Sequence, residues 1–219
     1  MNKIYLLLIS FFFVALIRSQ SDFGAWYMSF NTVNLGENWQ IQNDIQYRSY
    51  NAVTDMEQLM LRGGIGYNLS EKNNNLLLGY AFIRSGVLGL EDQDLENHFN
   101  EHRIYQQFIT KQRFGRFYFS HRYRLEERFL KDNFKVRFRY FLNLRVAINN
   151  KSLVKNTFYF STYNEIFING QGLLFDRNRL YGAFGFQISD SFRVDVGAMA
   201  QIYQQIYRPQ FQLGIFKSF

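Results

Sequence analysis

Arginines that recur at every second position are the residues of this sequence best suited to chemistry. Between positions 116 and 146, Arg122, Arg124 and Arg128 precede a polar turn, and Arg137 and Arg139 follow it. Guanidinium groups bind carboxylates through paired, charge-assisted hydrogen bonds, and rings of arginine give pores a preference for anions. Together with the carboxylates on the same alternating positions, the candidate residues are Arg48, Arg62, Glu101, Arg103, Arg122, Arg124, Glu126, Arg128, Arg137, Arg139, Glu165, Arg177, Arg179 and Asp195.

Hydrolytic chemistry has weaker support. A hydrolase site would have to use His98, His102 and His121 with Ser120, Ser161 or Glu101. On a strand, the adjacent Ser120 and His121 point to opposite faces, and His98 and His102 lie roughly 13 Å apart, too far to share a metal ion. The chain has no cysteine, which excludes a thiol site, a disulfide scaffold and a lipoprotein anchor. We therefore expect no enzyme activity, no catalytic residue, no metal and no cofactor.

The elements that carry the arginines are predicted to be strands. Phe134, Phe138 and Tyr140 alternate with the arginines after the turn at 131–133, and Phe119 does so before it. Period two is typical of a strand, because successive side chains point to opposite faces. Residues 116–146 therefore predict a long antiparallel hairpin with one aromatic and one arginine-rich face. We expect Phe119, Phe138 and, in a later strand, Phe184 to face lipid.

The same alternation continues through the rest of the chain. It gives eleven strand-like runs; the parity of the run at 75–84 cannot be assigned, and no helical periodicity appears. Because single-chain bacterial barrels have even strand numbers, we expect an antiparallel up-and-down barrel of ten or twelve strands, with twelve preferred. Tight turns at 34–38, 70–74, 114–115, 149–152 and 189–191 alternate with looser connections, which places these turns and the C-terminus in the periplasm.

Export is predicted from the N-terminus. Lys3 precedes an apolar core at 4–17, and Ser19 is a small residue before a cut, so residues 1–20 read as a cleaved signal peptide and residues 21–219 as one barrel domain. Aromatic residues make up 19% of the chain, yet the mean hydropathy is −0.26. That combination is typical of a transmembrane β-barrel, in which half of each strand faces a polar interior. We therefore expect the outer membrane of a Gram-negative bacterium.

Several segments match the pattern of one known family. The two most specific are the HRYRLE segment at 121–126 and the NRLY segment at 178–181. The others are Trp26 with 35–39, 58–62 with Tyr67, 79–80, 101–103, 128–129, Arg137 with 139–140, and Tyr163 with Glu165 and Phe167. In these segments the chain resembles the uncharacterised bacterial outer-membrane family called domain-of-unknown-function family 2490. The resemblance runs through most of the chain after the signal peptide. It implies an outer-membrane β-barrel and implies no activity.

Two interpretations of the arginine-rich interior stay open. In one, arginine–carboxylate pairs and tyrosine hydroxyls fill a narrow interior, because buried charges must be paired. In the other, the arginines line an anion-preferring channel. A soluble periplasmic β-sandwich is a rival with typically shorter strands, and nucleic acid is not an expected partner despite the net charge of +7. The expected partners are outer-membrane lipid, lipopolysaccharide and, through the C-terminal strand ending at Phe219, the barrel-assembly machinery.

Overall fold

A computed structural model describes residues 23–69, 73–86, 98–204 and 206–219. The predicted signal peptide and residues 70–72, 87–97 and 205 lie outside this part of the chain. The strands are β1 (Gly24–Leu35), β2 (Trp39–Ser49), β3 (Met56–Asn68), β4 (Asn74–Ser85), β5 (Phe99–Phe114), β6 (Phe117–Leu130), β7 (Asn133–Ala147), β8 (Thr157–Asn169), β9 (Phe175–Ser189), β10 (Phe192–Ile202) and β11 (Tyr207–Ser218). No described residue belongs to a helix that is long and apolar enough to cross a membrane.

The strands close into a single barrel, as predicted, but their number is not the predicted ten or twelve. Sequence neighbours pair antiparallel throughout, and the eleven described strands close through a parallel pair between β1 and β11. This seam runs in register from Gly24 opposite Gln210 to Thr32 opposite Ser218. An even count is required only when every pair is antiparallel, so the parallel seam explains how an odd number of strands can close.

The C-terminus is bound into this seam. The backbone amide of Asn34 donates to the carbonyl oxygen of Phe219 at 3.1 Å, and the Asn34 side chain donates to the same oxygen at 2.9 Å. The Phe219 amide donates to Thr32, and that of Ser218 to Ser191 in the β9–β10 turn. The last strand is therefore held on both sides. We call the end of the barrel where β11 finishes the C-terminal end.

Connection length separates the two ends of the barrel only in part. The connections after β1, β5 and β9 at the C-terminal end are tight, as predicted, but the predicted turn at 149–152 lies in a connection between β7 and β8 that spans 148–156. At the opposite end, β6 and β7 are joined by Lys131 and Asp132 alone, whereas β4 and β5 are joined by 86–98. Each end therefore carries both short and long connections.

The predicted division into an outer apolar face and an inner charged face is present in the hairpin of β6 and β7. Phe138 keeps 51% of its surface exposed on the outside, whereas its neighbours Arg137 and Arg139 are 4% and 7% exposed inside. On β9, Phe184 is 70% exposed. The pleat thus sends the aromatic rings outward and the guanidinium groups inward.

Two strands depart from that division. In β4, Leu77 and Ile83 are buried inside while Leu78 is exposed outside. Both faces of β4 are apolar, which is why alternation alone could not assign its parity. In β1, the large apolar residue Trp26 is 2% exposed and faces inward, while Asn31 faces outward and bonds Asn43.

Candidate functional site

A carboxylate on β6, Glu126, is the centre of the barrel interior. Its side chain is 1% exposed and lies opposite Arg137 in the β6–β7 register. Arg137 Nη2 lies 2.6 Å and Arg139 Nη1 lies 2.5 Å from its two oxygens, and Arg124 and Arg103 approach to 3.5 and 3.7 Å. Four guanidinium groups from three neighbouring strands therefore share one carboxylate, because alternation places all of them on the inner face.

A second carboxylate, Glu101 on β5, extends the cluster toward the end opposite the C-terminus. Arg103 and Arg128 approach its oxygens to 2.6 and 2.5 Å, each with two parallel hydrogen bonds. On the far side of Arg137, Asp176 lies 3.1 Å from that guanidinium and also bonds Arg177.

A third carboxylate, Glu165 on β8, extends the cluster toward β9. Arg139 donates to Glu165 at 2.5 Å while also bonding Glu126, so it joins the two carboxylates. Arg122 and Arg179 approach Glu165 to 2.7 and 3.5 Å. We call Glu101, Glu126 and Glu165, with the arginines that contact them, the arginine–carboxylate network.

Aromatic rings and amides complete the surroundings of the guanidinium groups. The ring of Phe167, 1% exposed, lies 4.5 Å from both Arg139 and Arg179. The indole of Trp26 lies 3.7 Å from Arg48 and 4.7 Å from Arg179. Positively charged groups over ring faces are attracted by the ring quadrupole, so these rings offset part of the missing negative charge.

Three of the predicted network residues lie apart from the network. Arg62 pairs with Asp44 at 2.9 Å. Among the described residues Arg48 has no carboxylate within 4.0 Å; its guanidinium donates to Gln46 and Gln58. Asp195, on β10, accepts a hydrogen bond from the Tyr159 hydroxyl, nearer the C-terminal end. The remaining eleven belong to the network or contact it through Asp176.

Alternation could have identified several members of the interior that the candidate set lacks. Phe167 follows Glu165 at the next inward position of β8, but aromatic residues in such strands suggest the outer face. Gln107 and Gln201, which accept from Arg124 at 2.6 Å and from Arg179 at 2.8 Å, share faces with predicted residues. The candidate set also lacks Asp176, which is the second residue of β9.

The middle of the barrel is packed rather than open. Every strand contributes at least one inward side chain that is at most 7% exposed, and contacts through Arg48, Arg179 and Arg139 connect these side chains across the interior. One from each strand, in order, is Trp26, Gln46, Met60, Ala81, Tyr105, Glu126, Arg139, Phe167, Arg179, Gln201 and Gln212. The described side chains at this level therefore leave little water-accessible surface, although Trp26, Gln46, Arg139, Arg179 and Gln212 also border the cavity described next.

Between the network and the C-terminal end lies a cavity of about 420 Å³, which we call the cup. Its lining runs from Trp26, Arg48 and Arg179 deep in the barrel, past Arg139 and Glu165, to Asp190 and Lys217 at the rim. At the other end of the barrel, Arg208 lies 3.3 Å from Glu57 and 5.2 Å from the ring of Tyr50. Burial, with the nearby Glu57 carboxylate, raises the pKa of Tyr50.

The histidines do not converge on a site. His102 Nδ1 lies 2.6 Å from the Tyr80 hydroxyl, and His121 Nδ1 lies 2.9 Å from that of Tyr140, both on the outer face. Ser120 faces the cup. In the part of the chain that the structure describes, no three His, Asp or Glu side chains are grouped to hold a metal ion.

Comparison with known families gives one match. The model of DUF2490, described as a protein of unknown function, matches residues 23–212, which covers all of β1 to β10 and the first half of β11. Searches of curated proteins and of solved structures give no match.

Proposed function

Since the chain belongs to DUF2490, a family without an assigned function, its role must be argued from its geometry, and we propose a non-conducting outer-membrane β-barrel. In this proposal the chain is exported through its signal peptide and inserted into the outer membrane with its C-terminal end in the periplasm. The middle of the barrel is closed, and the cup opens toward the periplasm. The barrel then serves structure or interaction rather than passive flux.

The low solvent exposure of the charged groups inside the barrel is the observation that carries this proposal. A pore needs a continuous water-filled path, whereas the central carboxylate Glu126 is 1% exposed and contacts arginines from three strands. Buried ion pairs hold tightly once formed, because separating them leaves an uncompensated charge in a medium of low dielectric constant. Thermal motion therefore rarely separates the ion pairs of this network.

The outer surface supports the membrane location. Its exposed residues include large apolar side chains from every strand between β2 and β10, among them Ile65, Leu78 and Phe160. An outer groove of about 700 Å³, lined by residues such as Trp39, Leu76 and Phe138, offers almost only apolar surface. Large apolar side chains exposed on so many neighbouring strands are what a lipid-facing barrel requires.

A second candidate function is a narrow, anion-preferring channel. The cationic excess of the cup favours it, since Lys111, Arg145 and Arg193 line the cavity without a carboxylate within 4.0 Å among the described residues. Conduction would require the arginine–carboxylate network to rearrange. If the barrel conducts at all, its reversal potential in a salt gradient should show a preference for anions.

The membrane proposal is tested by cell fractionation and gel migration. The full chain, expressed with its own N-terminal segment, should sediment with outer membranes, resist carbonate extraction and migrate faster before heating than after it. Recovery in the soluble periplasmic fraction, with migration unaffected by heating, would contradict the membrane location and favour a soluble β-sandwich.

A further inference from the structure

The cup combines an unbalanced positive charge with an apolar wall. Its cations fall into three groups. Arg48, deep in the cavity, donates to Gln46 and Gln58. Arg62 pairs with Asp44, and Arg122, Arg139 and Arg179 pair with Glu165. Four cations nearer the mouth, Lys111, Arg145, Arg193 and Lys217, have no carboxylate within 4.0 Å among the described residues.

The acidic groups that line the cup do not balance these cations. Glu165 is already shared by three arginines. Asp195 accepts from the Tyr159 hydroxyl, and Asp190 at the rim accepts from the backbone amide of Lys155. Lys111, Arg145 and Arg193 line the same cavity, where their like charges repel one another. Like charges held together in a cavity create a strong positive potential there.

Buried donors without partners point to the same place. The Nε–H groups of Arg122 and Arg193 have no hydrogen-bond acceptor among the described residues, although both atoms are shielded from solvent. Unpaired buried donors cost free energy unless an acceptor reaches them. Lys111, in contrast, stays exposed at the mouth of the cavity, so an entering anion would meet it first.

The opposite wall of the cup is apolar and aromatic. The rings of Phe30 on β1 and Phe216 on β11 stack with their centroids 4.8 Å apart, and Met28 lies beside them in the lining. The Arg193 guanidinium lies 3.9 Å from the Phe216 ring, at the boundary between the cationic and the apolar wall. The seam therefore presents apolar surface to the cup where most barrel interiors are polar.

We propose that the cup is a binding site for a small amphipathic organic anion. The carboxylate or phosphate group of the ligand is held by Lys111, Arg145 and Arg193, and its apolar body lies along Met28, Phe30 and Phe216. A cavity of about 420 Å³ is within the size range of small-molecule sites. This inference deepens the proposed function by naming the ligand class of the open end of the closed barrel.

The test is isothermal titration calorimetry of the full barrel, refolded in detergent, with 4-phenylbutyrate as the probe. Two further probes separate the parts of the site: 4-phenylbutyramide has the same apolar body without the charge, and inorganic phosphate has charge without the apolar body. We expect phenylbutyrate to bind at least tenfold more tightly than either. Titration into detergent alone corrects for partition into micelles.

Variants assign the binding to the cup. Arg145→Gln and Arg193→Gln should each weaken phenylbutyrate binding by about tenfold or more, whereas Lys135→Gln should not change it. Lys135 is the matched control, since it is an exposed inward-facing cation at the opposite end of the barrel. Heat-dependent gel migration establishes that each variant is folded. Phe216→Leu is an independent variant that alters the apolar wall and leaves every charge in place.

Each outcome decides one question. Absence of phenylbutyrate binding, or equal binding by wild type and Arg145→Gln, would overturn the site; equal affinity for phosphate would overturn the apolar half of the proposal. The closed barrel is tested separately by conductance. A barrel that conducts and still binds phenylbutyrate would support the binding site and contradict closure. A barrel that neither conducts nor binds phenylbutyrate would support closure and contradict the binding site.

Discussion

At the scale of single residues, the inner face is organised by a few carboxylates that each contact several arginines. Alternation in the sequence was sufficient to place Arg137, Arg139 and Glu126 on one face. It could not show which arginine contacts which carboxylate, because that depends on the register of strands far apart in sequence. Arg122, for example, bonds Glu165 at a sequence separation of 43 residues.

Aromatic residues inside the barrel were the harder part of the site to predict. Phe167 and Trp26 are residue types that alternation in a membrane barrel would place against lipid, yet each lies between two or more guanidinium groups. The inward position of Phe167 follows from the parity of Glu165. The inward position of Trp26 does not follow from parity, because β1 carries its large apolar side chains on the inner face.

The first prediction concerns Glu126. Glu126→Ala leaves Arg137 and Arg139 without their shared carboxylate, and breaking a buried pair in this way costs about 3–5 kcal/mol of unfolding free energy. Urea unfolding of the refolded barrel, followed by tryptophan fluorescence, measures the change. Glu127→Ala is the control, since it removes the same charge from the outer face of the same strand. Equal stability of the two variants would show that the network does not stabilise the barrel.

The second prediction concerns the outer face. Phe138→Arg places a charge where lipid is expected, and at a midplane position this costs about 2–4 kcal/mol. Phe114→Arg, beside the turn at Gly115, should cost only about 0–1 kcal/mol because it lies at the edge of the apolar band. Folding of both variants into vesicles of phosphatidylcholine measures the difference. If Phe138→Arg folds as readily as wild type, Phe138 does not face lipid.

At the scale of elements, alternation found the strands but misjudged how they close. Each of the eleven runs corresponds to a strand, including β4, whose two apolar faces conceal its orientation. The expectation of an even number rested on a rule for barrels closed by antiparallel pairs. No local pattern in β1 or β11 reports that the two are parallel, because strand direction is a property of the closed topology.

The parallel seam gives the third prediction. Ser29 and Ile215 are paired across β1 and β11, and Cα atoms of directly paired residues are close enough for a disulfide. Because the chain has no cysteine, Ser29→Cys with Ile215→Cys should form a cross-link under mild oxidation, visible as a mobility shift that reductant reverses. The pair Ser29→Cys with Phe211→Cys should not, since Phe211 lies opposite Ala25. Cross-linking of the second pair alone would require a different closure.

At the scale of the whole molecule, the barrel has two unlike parts. Its middle is filled by paired charges, rings and amides, and its C-terminal end holds a cavity with more cations than carboxylates. The sequence predicted the positive interior and left open whether it is paired or lines a channel. Composition alone could not decide between a paired interior and a channel, because closure depends on how far side chains from opposite walls reach across the interior.

The most direct test of closure is the conductance of the refolded wild-type barrel in a planar bilayer under a salt gradient. Heat-dependent gel migration first establishes that the protein is folded. We predict no stable conductance steps, because the arginine–carboxylate network fills the interior around Glu126. Stable steps from the folded protein would contradict the closed barrel, and an anion-preferring reversal potential would then establish the channel instead.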